Sequence, residues 1–316
     1  MNILRRLTMI LLLFVSIGGT VKAQMNYQFV QSTSTYVPLT GATVLGTATT
    51  ATGATALDNV IYTLPAGTIP FSFYFNGASY NSCFVSTNGY IAFSVAPSGT
   101  NTNPISSTAT YAGAISVFGR DLLGSYRVTT PADGDTVAQL RYAVVGASPN
   151  REFVIEWANF RPSGAATNPN MNMQIRLVEG SNNIKFHYGL SDGTFTSSTC
   201  QLGLRGATNA VFQNRALTSG QPWANSTAGT LNTSTMSYTT ATVPVNGQVL
   251  TFVSPCPAPV SLGLVDALPT SVKLRWSSGI PLPARWRPPP PSSRPASPGR
   301  PSARVSPSSG ARSSGT

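Results

Sequence analysis

The stretch 71–93, FSFYFNGASYNSCFVSTNGYIAF, sets a pattern of apolar and polar positions that most of the chain repeats. Phe71, Phe73 and Phe75 share one face at a period of two, with Ser72 and Tyr74 on the other. Asn76-Gly77 and Asn88-Gly89 predict hairpin turns, because Asn and Gly tolerate the positive φ that such turns require. Similar runs predict an edge strand and an extended segment, broken at Pro38, over 27–44, and strands over 58–64, 90–95, 114–118 and 138–145. They continue over 152–160, 171–179, 183–188, 200–204 and 248–253. Residues 96–110, rich in Ser, Thr, Asn and Pro, predict a long loop. Apolar residues at helical spacing are nowhere sustained after residue 23. Many short strands at this spacing predict an all-β fold, a jelly-roll-like antiparallel β-sandwich over 24–254.

The grammar changes at Cys256. The segment CPAPVSLGLVDALPTSVKLRWSSG resembles the start of a fibronectin type III domain, with a first strand at 262–265, a second at 271–276, and Trp276 where that family buries its tryptophan. A complete immunoglobulin-like sandwich needs about 100 residues, so 255–278 is expected to be an incomplete start. Residues 279–316 then contain ten prolines and no Asp, Glu, Lys, Asn, Gln, Phe or Tyr. That composition excludes a continuing sheet. It reads either as a disordered basic tail or, given the abrupt switch after Trp276, as the product of a frameshift.

The formal charge of +11 suggests a nucleic-acid partner until it is located. Arg5, Arg6 and Lys22 lie near the start and six arginines lie after residue 284, which leaves eleven cations against nine acids in 24–278. Binding of nucleic acid by the body of the chain is not expected. Arg5-Arg6, the apolar run 7–17 and Val21-Lys22-Ala23 have the layout of a signal peptide over 1–23. The run is well short of the roughly 20 residues of a spanning helix. No transmembrane segment is expected, and the protein is expected to be secreted or at the cell surface.

Candidate chemistry is thin. Glu152 and Glu156 fall on one strand face about 13 Å apart, wider than the roughly 5–9.5 Å of glycosidase carboxylate pairs. They read as solvent-face charges, with Phe153, Ile155 and Trp157 facing the core. Asp121, in FGRD, is left to pair with a carboxylate from another strand. His187, the only histidine, falls beside Lys185 on a polar face and reads as a surface residue. Neither a nucleophile elbow nor a triad order is present, and the chain is expected not to be an enzyme. Asp133-Gly134-Asp135 offers two carboxylates on a turn, so calcium is the one cofactor the pattern admits. Of the three cysteines, Cys83 and Cys200 lie in strand-like runs, either as small buried side chains or bridged to each other. Trp223, Tyr111 and Tyr126 lie in polar stretches; each is a candidate for ligand stacking, Trp223 equally for capping the core.

Residues 27–254 resemble secreted proteins of Bacteroidetes-type bacteria, in which a β-sandwich module precedes fibronectin type III repeats and a type IX sorting domain. The resemblance is carried by FNGASYNSCFVSTNGYIAF, ISVFGRDLLG, EFVIEWANFRP, MNMQIRLVEGSNNIKFHYG and CQLGLRGATNAVFQNR. It implies a non-catalytic extracellular binding or adhesion module whose partner is an extracellular glycan or protein. The alternative it leaves is an accessory domain of a secreted hydrolase whose catalytic part lies elsewhere.

Overall fold

The structure is a computed structural model that describes residues 25–126, 137–164 and 170–255, together with the backbone of Val260–Leu268 and Ser271–Ser277. The expected leader 1–23, Asp133, Asp135 and the tail 279–316 lie outside the described residues. The chain divides into two units, Met1–Pro255 and Cys256–Thr316.

The first unit contributes eighteen described strands. They are β1 (Gln28–Thr33), β2 (Thr43–Thr47), β3 (Ile61–Leu64), β4 (Phe73–Phe75), β5 (Ala78–Tyr80), β6 (Cys83–Ser86), β7 (Tyr90–Phe93), β8 (Gly113–Gly119) and β9 (Leu122–Gly124). There follow β10 (Gln139–Val145), β11 (Glu152–Pro162), β12 (Met171–Val178), β13 (Ile184–Tyr188), β14 (Ser198–Arg205), β15 (Phe212–Ala216), β16 (Thr227–Ala228), β17 (Met236–Tyr238) and β18 (Gln248–Val253). In the second unit, the strands expected at 262–265 and 271–276 form as β19 (Val260–Leu268) and β20 (Ser271–Ser277), an antiparallel pair.

The Asn76-Gly77 turn forms for the reason the sequence suggests, whereas the turn at Asn88-Gly89 spans residues 87–89 and takes its positive φ at Gly89 and not at Asn88. Asn76 and Gly77 adopt φ of 46° and 82° between β4 and β5, and Gly89 adopts 77° between β6 and β7. Sixteen of the strands assemble into two eight-stranded sheets, and β4 and β5 form a separate two-stranded pair. The first runs β1-β18-β13-β12-β11-β10-β2, with β9 added beside the end of β11. The second runs β16-β15-β14-β8-β7-β6-β3, with β17 added to β14. Every ladder between these named strands is antiparallel. The protein is an all-β sandwich.

Alternation decides which side chains meet between the layers. Phe153, Ile155 and Trp157 of β11 and Ile175 and Leu177 of β12 are fully buried in one cluster with Val85, Ile91, Ile115 and Val117 of the opposite sheet. Burying each such side chain contributes roughly 1.5–3 kcal/mol. Two polar tips also cross the core to reach main-chain carbonyls. The Trp157 indole N–H donates to Ser86 O at 3.0 Å, and the Tyr188 hydroxyl donates to Val117 O at 2.8 Å. These bonds let large aromatics be buried without leaving a polar atom unsatisfied, and they fix how the sheets register.

The bridge considered between Cys83 and Cys200 does not form, and both thiols are free and buried. Cys83 is on β6 and Cys200 on β14, with β7 and β8 between them. Three strand spacings are about 14 Å, twice the span a disulfide tolerates. Burial pushes the Cys83 thiol up to about 12 and raises Cys200 as well, so both behave as small core side chains.

Candidate functional site

The outer face of the first sheet carries two rows of polar side chains. Register aligns His187 of β13, Gln174 of β12, Glu156 of β11 and Arg141 of β10 in one row across four strands. Lys185 and Arg176 stand in the next row, with Thr251 of β18 beside Lys185. The alternation that sends Phe186, Ile175 and Ile155 inward sends these residues out. They do not all meet solvent. Segment 34–40, which links β1 at one sheet edge to β2 at the other, crosses over the first row and bonds to it.

Glu156 is the centre of that crossing and is fully buried. Its Oε1 accepts from the Tyr36 hydroxyl at 2.7 Å and from Gln174 Nε2 at 2.8 Å. Its Oε2 accepts from Arg141 Nε at 2.6 Å and from the Leu39 amide at 3.1 Å. Gln174 Nε2 also donates to Val37 O, and a ring nitrogen of His187 lies 3.1 Å from Ser34 O. Burial first, and then the carboxylate of Glu156, raise the Tyr36 phenol well above its ordinary value, so it remains a donor. Burial lowers His187, opposed by its contact with Ser34 O, and its ring lies 5.2 Å from that of Tyr36. The expectation that Glu156 and His187 are surface residues is therefore corrected. A face that one strand pattern marks as polar is covered here by another part of the chain.

Beside the segment the second row stays open and forms the floor of a groove of about 650 Å³. One wall is Val37, Pro38, Leu39 and Thr40; the far end is Ala143, Val144 and Val145 of β10. On the floor, Glu152 bridges two cations, with Lys185 Nζ 2.7 Å from Oε1 and Arg176 Nη1 2.8 Å from Oε2. Burial alone would raise the Glu152 carboxyl, but the hydrogen bonds and charges of Lys185 and Arg176 outweigh it and hold the group below its ordinary 4.5. A depressed folded-state value means stabilisation that is present above the ordinary value and is lost as pH falls through the folded one. Glu152→Gln is expected to lower unfolding free energy by on the order of 1–3 kcal/mol at pH 7. That deficit should shrink towards zero below pH 4.5 in urea titrations; a deficit independent of pH would contradict the ion-pair account.

A family profile described as NIDO related matches residues 26–255. The chain belongs to the NIDO-related family. Comparison with curated proteins and with solved structures finds no match.

Within the NIDO-related domain, the residues singled out as ligand-stacking aromatics are not gathered into a site. Trp223 is 2% exposed and lies in the core, 5.8 Å from Phe118 in a stacked pair and 5.4 Å from Tyr188 edge-on. Tyr111 is 1% exposed beneath its own loop, its ring 4.2 Å from the Arg205 guanidinium and its hydroxyl bonded to Pro104 O. For Tyr111 this is a correction, whereas Trp223 takes the core-capping alternative; in both cases a buried ring removes more apolar area from water than the surrounding polar loop can signal. Tyr126 is half-buried against the core edge and bridges to Val137. Burial and then the charge of Asp121 raise Asp58, a residue that lies outside the strands. The calcium turn Asp133-Gly134-Asp135 lies outside the described residues. The groove of the NIDO-related domain was invisible in sequence because segment 34–40 carries no periodicity that says where it crosses.

Proposed function

We propose that this protein is a non-catalytic binding or adhesion module of the cell surface or extracellular space, which holds a polar ligand, a glycan or a protein, in the outer-face groove. The observation that carries this reading is the groove floor. Its charges are fixed in place on a rigid sheet by the Glu152 bridge to Arg176 and Lys185. A site on strands holds such groups more precisely than one on loops. The neighbouring Glu156 is spent on four donors, and His187 contacts a main-chain carbonyl. These groups hold charge and position; they are not poised to pass a proton to a ligand.

The resemblance to secreted surface proteins with an N-terminal sandwich module supports the extracellular assignment, and the leader-like sequence of residues 1–23 agrees with it. The described residues contain no helix long and apolar enough to cross a membrane.

The test is binding of the immobilised full chain to a glycan array and to a panel of extracellular matrix proteins. Saturable binding is expected, and Thr251→Trp, which fills the groove from its floor, should weaken it at least tenfold. Binding that Thr251→Trp leaves unchanged would move the site elsewhere. Turnover of any bound glycan or protein would overturn the non-catalytic reading.

A further inference from the structure

The groove's shape and chemistry say more about its occupant than that it is polar. Its floor crosses β18, β13, β12, β11 and β10, four strand spacings or about 19 Å. That length suits an extended polypeptide of about six residues at roughly 3.3 Å each, lying alongside segment 34–40. The hydrogen-bonding balance of the floor is one-sided. Both oxygens of Glu152 are already committed, one to each cation. Of the N–H groups of Arg176, Nε is used by Gln174 Oε1 and one on Nη1 by Glu152, while Lys185 uses one of its three. Three guanidinium and two ammonium donors therefore remain, and Lys185 keeps 35% of its side chain exposed. With one carboxylate set against two cations, the floor is left a positive charge.

The walls are aliphatic. Val37 is 59% exposed, Val144 41% and Val145 40%, and among the described residues no Phe, Tyr or Trp lines the groove, whose one aromatic ring is the His187 imidazole. Sugar rings favour aromatic faces, whereas branched aliphatic side chains bury well against Val and Pro. Beyond Tyr142, no described strand pairs with β10 on its outer side, because the ladder with β2 ends at Thr43. Ala143–Val145 thus ends the groove in main-chain groups that one end of a peptide crossing the strands can meet with single hydrogen bonds.

Resting on the binding reading above, we infer that the groove takes an extended polypeptide segment in which an acidic side chain, flanked by aliphatic ones, lies over Lys185 and Arg176. The carboxylate accepts the spare donors; the aliphatic neighbours meet Val37 and Val144-Val145. A protein partner fits this chemistry better than a neutral glycan does.

The experiment pans a random octapeptide display library against the immobilised full chain, in parallel with an array that includes uronate-bearing oligosaccharides. The expected result is enrichment of peptides with one Asp or Glu between aliphatic residues. A synthetic peptide of that sequence should lose at least tenfold in affinity to Lys185→Gln, and at least tenfold to Thr251→Trp, which keeps the floor charges. Circular dichroism would establish that both variants fold. Enriched peptides without acids, or acidic ones indifferent to both variants, would overturn the inference. Oligosaccharide binding blocked by Thr251→Trp, without peptide enrichment, would overturn it and leave the binding module standing. If nothing binds on either side, the inference and the binding reading fall together.

Discussion

Replacing Glu156 by alanine is expected to destabilise the protein by about 3–5 kcal/mol, the range for breaking one partner out of a buried, hydrogen-bonded ion pair. Four donors lose their acceptor at once: the Tyr36 hydroxyl, the Leu39 amide, Arg141 Nε and Gln174 Nε2. Arg141 keeps 21% of its side chain exposed and regains water. The Leu39 amide is buried and does not, so segment 34–40 should lift from the sheet before the core melts. Against a total stability of about 5–15 kcal/mol for an ordinary domain, a loss of this size leaves the sandwich folded but marginal. Hydrogen exchange separates the two levels. The Leu39 amide should exchange at least a hundredfold faster in Glu156→Ala, while core amides such as Ile155 accelerate only through global unfolding. Equal acceleration at both positions would mean that Glu156 supports the whole sheet and has no special hold on the segment. Glu156→Gln should lie between, since its amide keeps one acceptor oxygen but turns a donor group towards the others.

That result would also explain why the groove could not be read from the chain. Alternation assigns a residue to a face of a sheet, and it did so correctly for Phe153, Ile155 and Trp157, all fully buried between the layers. It cannot say whether the opposite face is wet. Glu156, Gln174 and His187 follow the same period as exposed residues, and only the path of segment 34–40 buries them. Pro38 marks that segment as extended, but nothing in it encodes where it crosses. Tyr111 and Trp223 teach the same lesson from the other direction. Their polar neighbours suggested surface loops, yet each loop turns its one large ring inward, Tyr111 onto Arg205 and Trp223 onto Phe118. Short strands were missed for a related reason. Leu122–Gly124 of β9 follows immediately after β8 and pairs with the end of β11, beyond an irregularity at 157–160 where Asn159 has a φ of 58°. Phe212–Ala216 of β15 is mostly polar, and its buried Arg215 lies over the Phe29 ring, 3.8 Å from its centre. Local pattern is strong where a strand carries a run of apolar or alternating residues, as in β8 and β11, and weak where the strand is very short or mostly polar, as in β9 and β15.

The second large effect is expected at Gly89, and Gly77 provides its control. Both glycines sit at positive φ in hairpin turns, 77° and 82°. A methyl group at Gly77 would meet nothing within 4 Å. Gly77→Ala should therefore cost only the left-handed backbone term, about 1–2 kcal/mol. At Gly89 the same methyl would lie 2.3 Å from the carbonyl oxygen of Phe118 and 2.9 Å from its carbon, both main-chain atoms that cannot swing aside. The approach is close because the turn is bonded to the end of β8. The amides of Val117 and Phe118 both donate to Gly89 O at 3.1 Å, and the Leu122 amide donates to the Asn88 side chain at 3.0 Å. Gly89→Ala must either push the turn off β8 or bend the strand. Val117 O also accepts the Tyr188 hydroxyl, and Ser86 O, just before the turn, accepts the Trp157 indole, so the disturbance reaches both cross-core bonds. A cost of about 4 kcal/mol or more follows, in the range reserved for core or backbone disruption. Urea titration of the two variants measures the difference directly. If Gly89→Ala and Gly77→Ala lose the same free energy, φ alone explains both positions and the turn is not held against β8 as the geometry requires. If Gly89→Ala loses at least 2 kcal/mol more, the close main-chain approach carries the excess, and the Asn88-Gly89 turn is one of the fixed points on which the two sheets are registered.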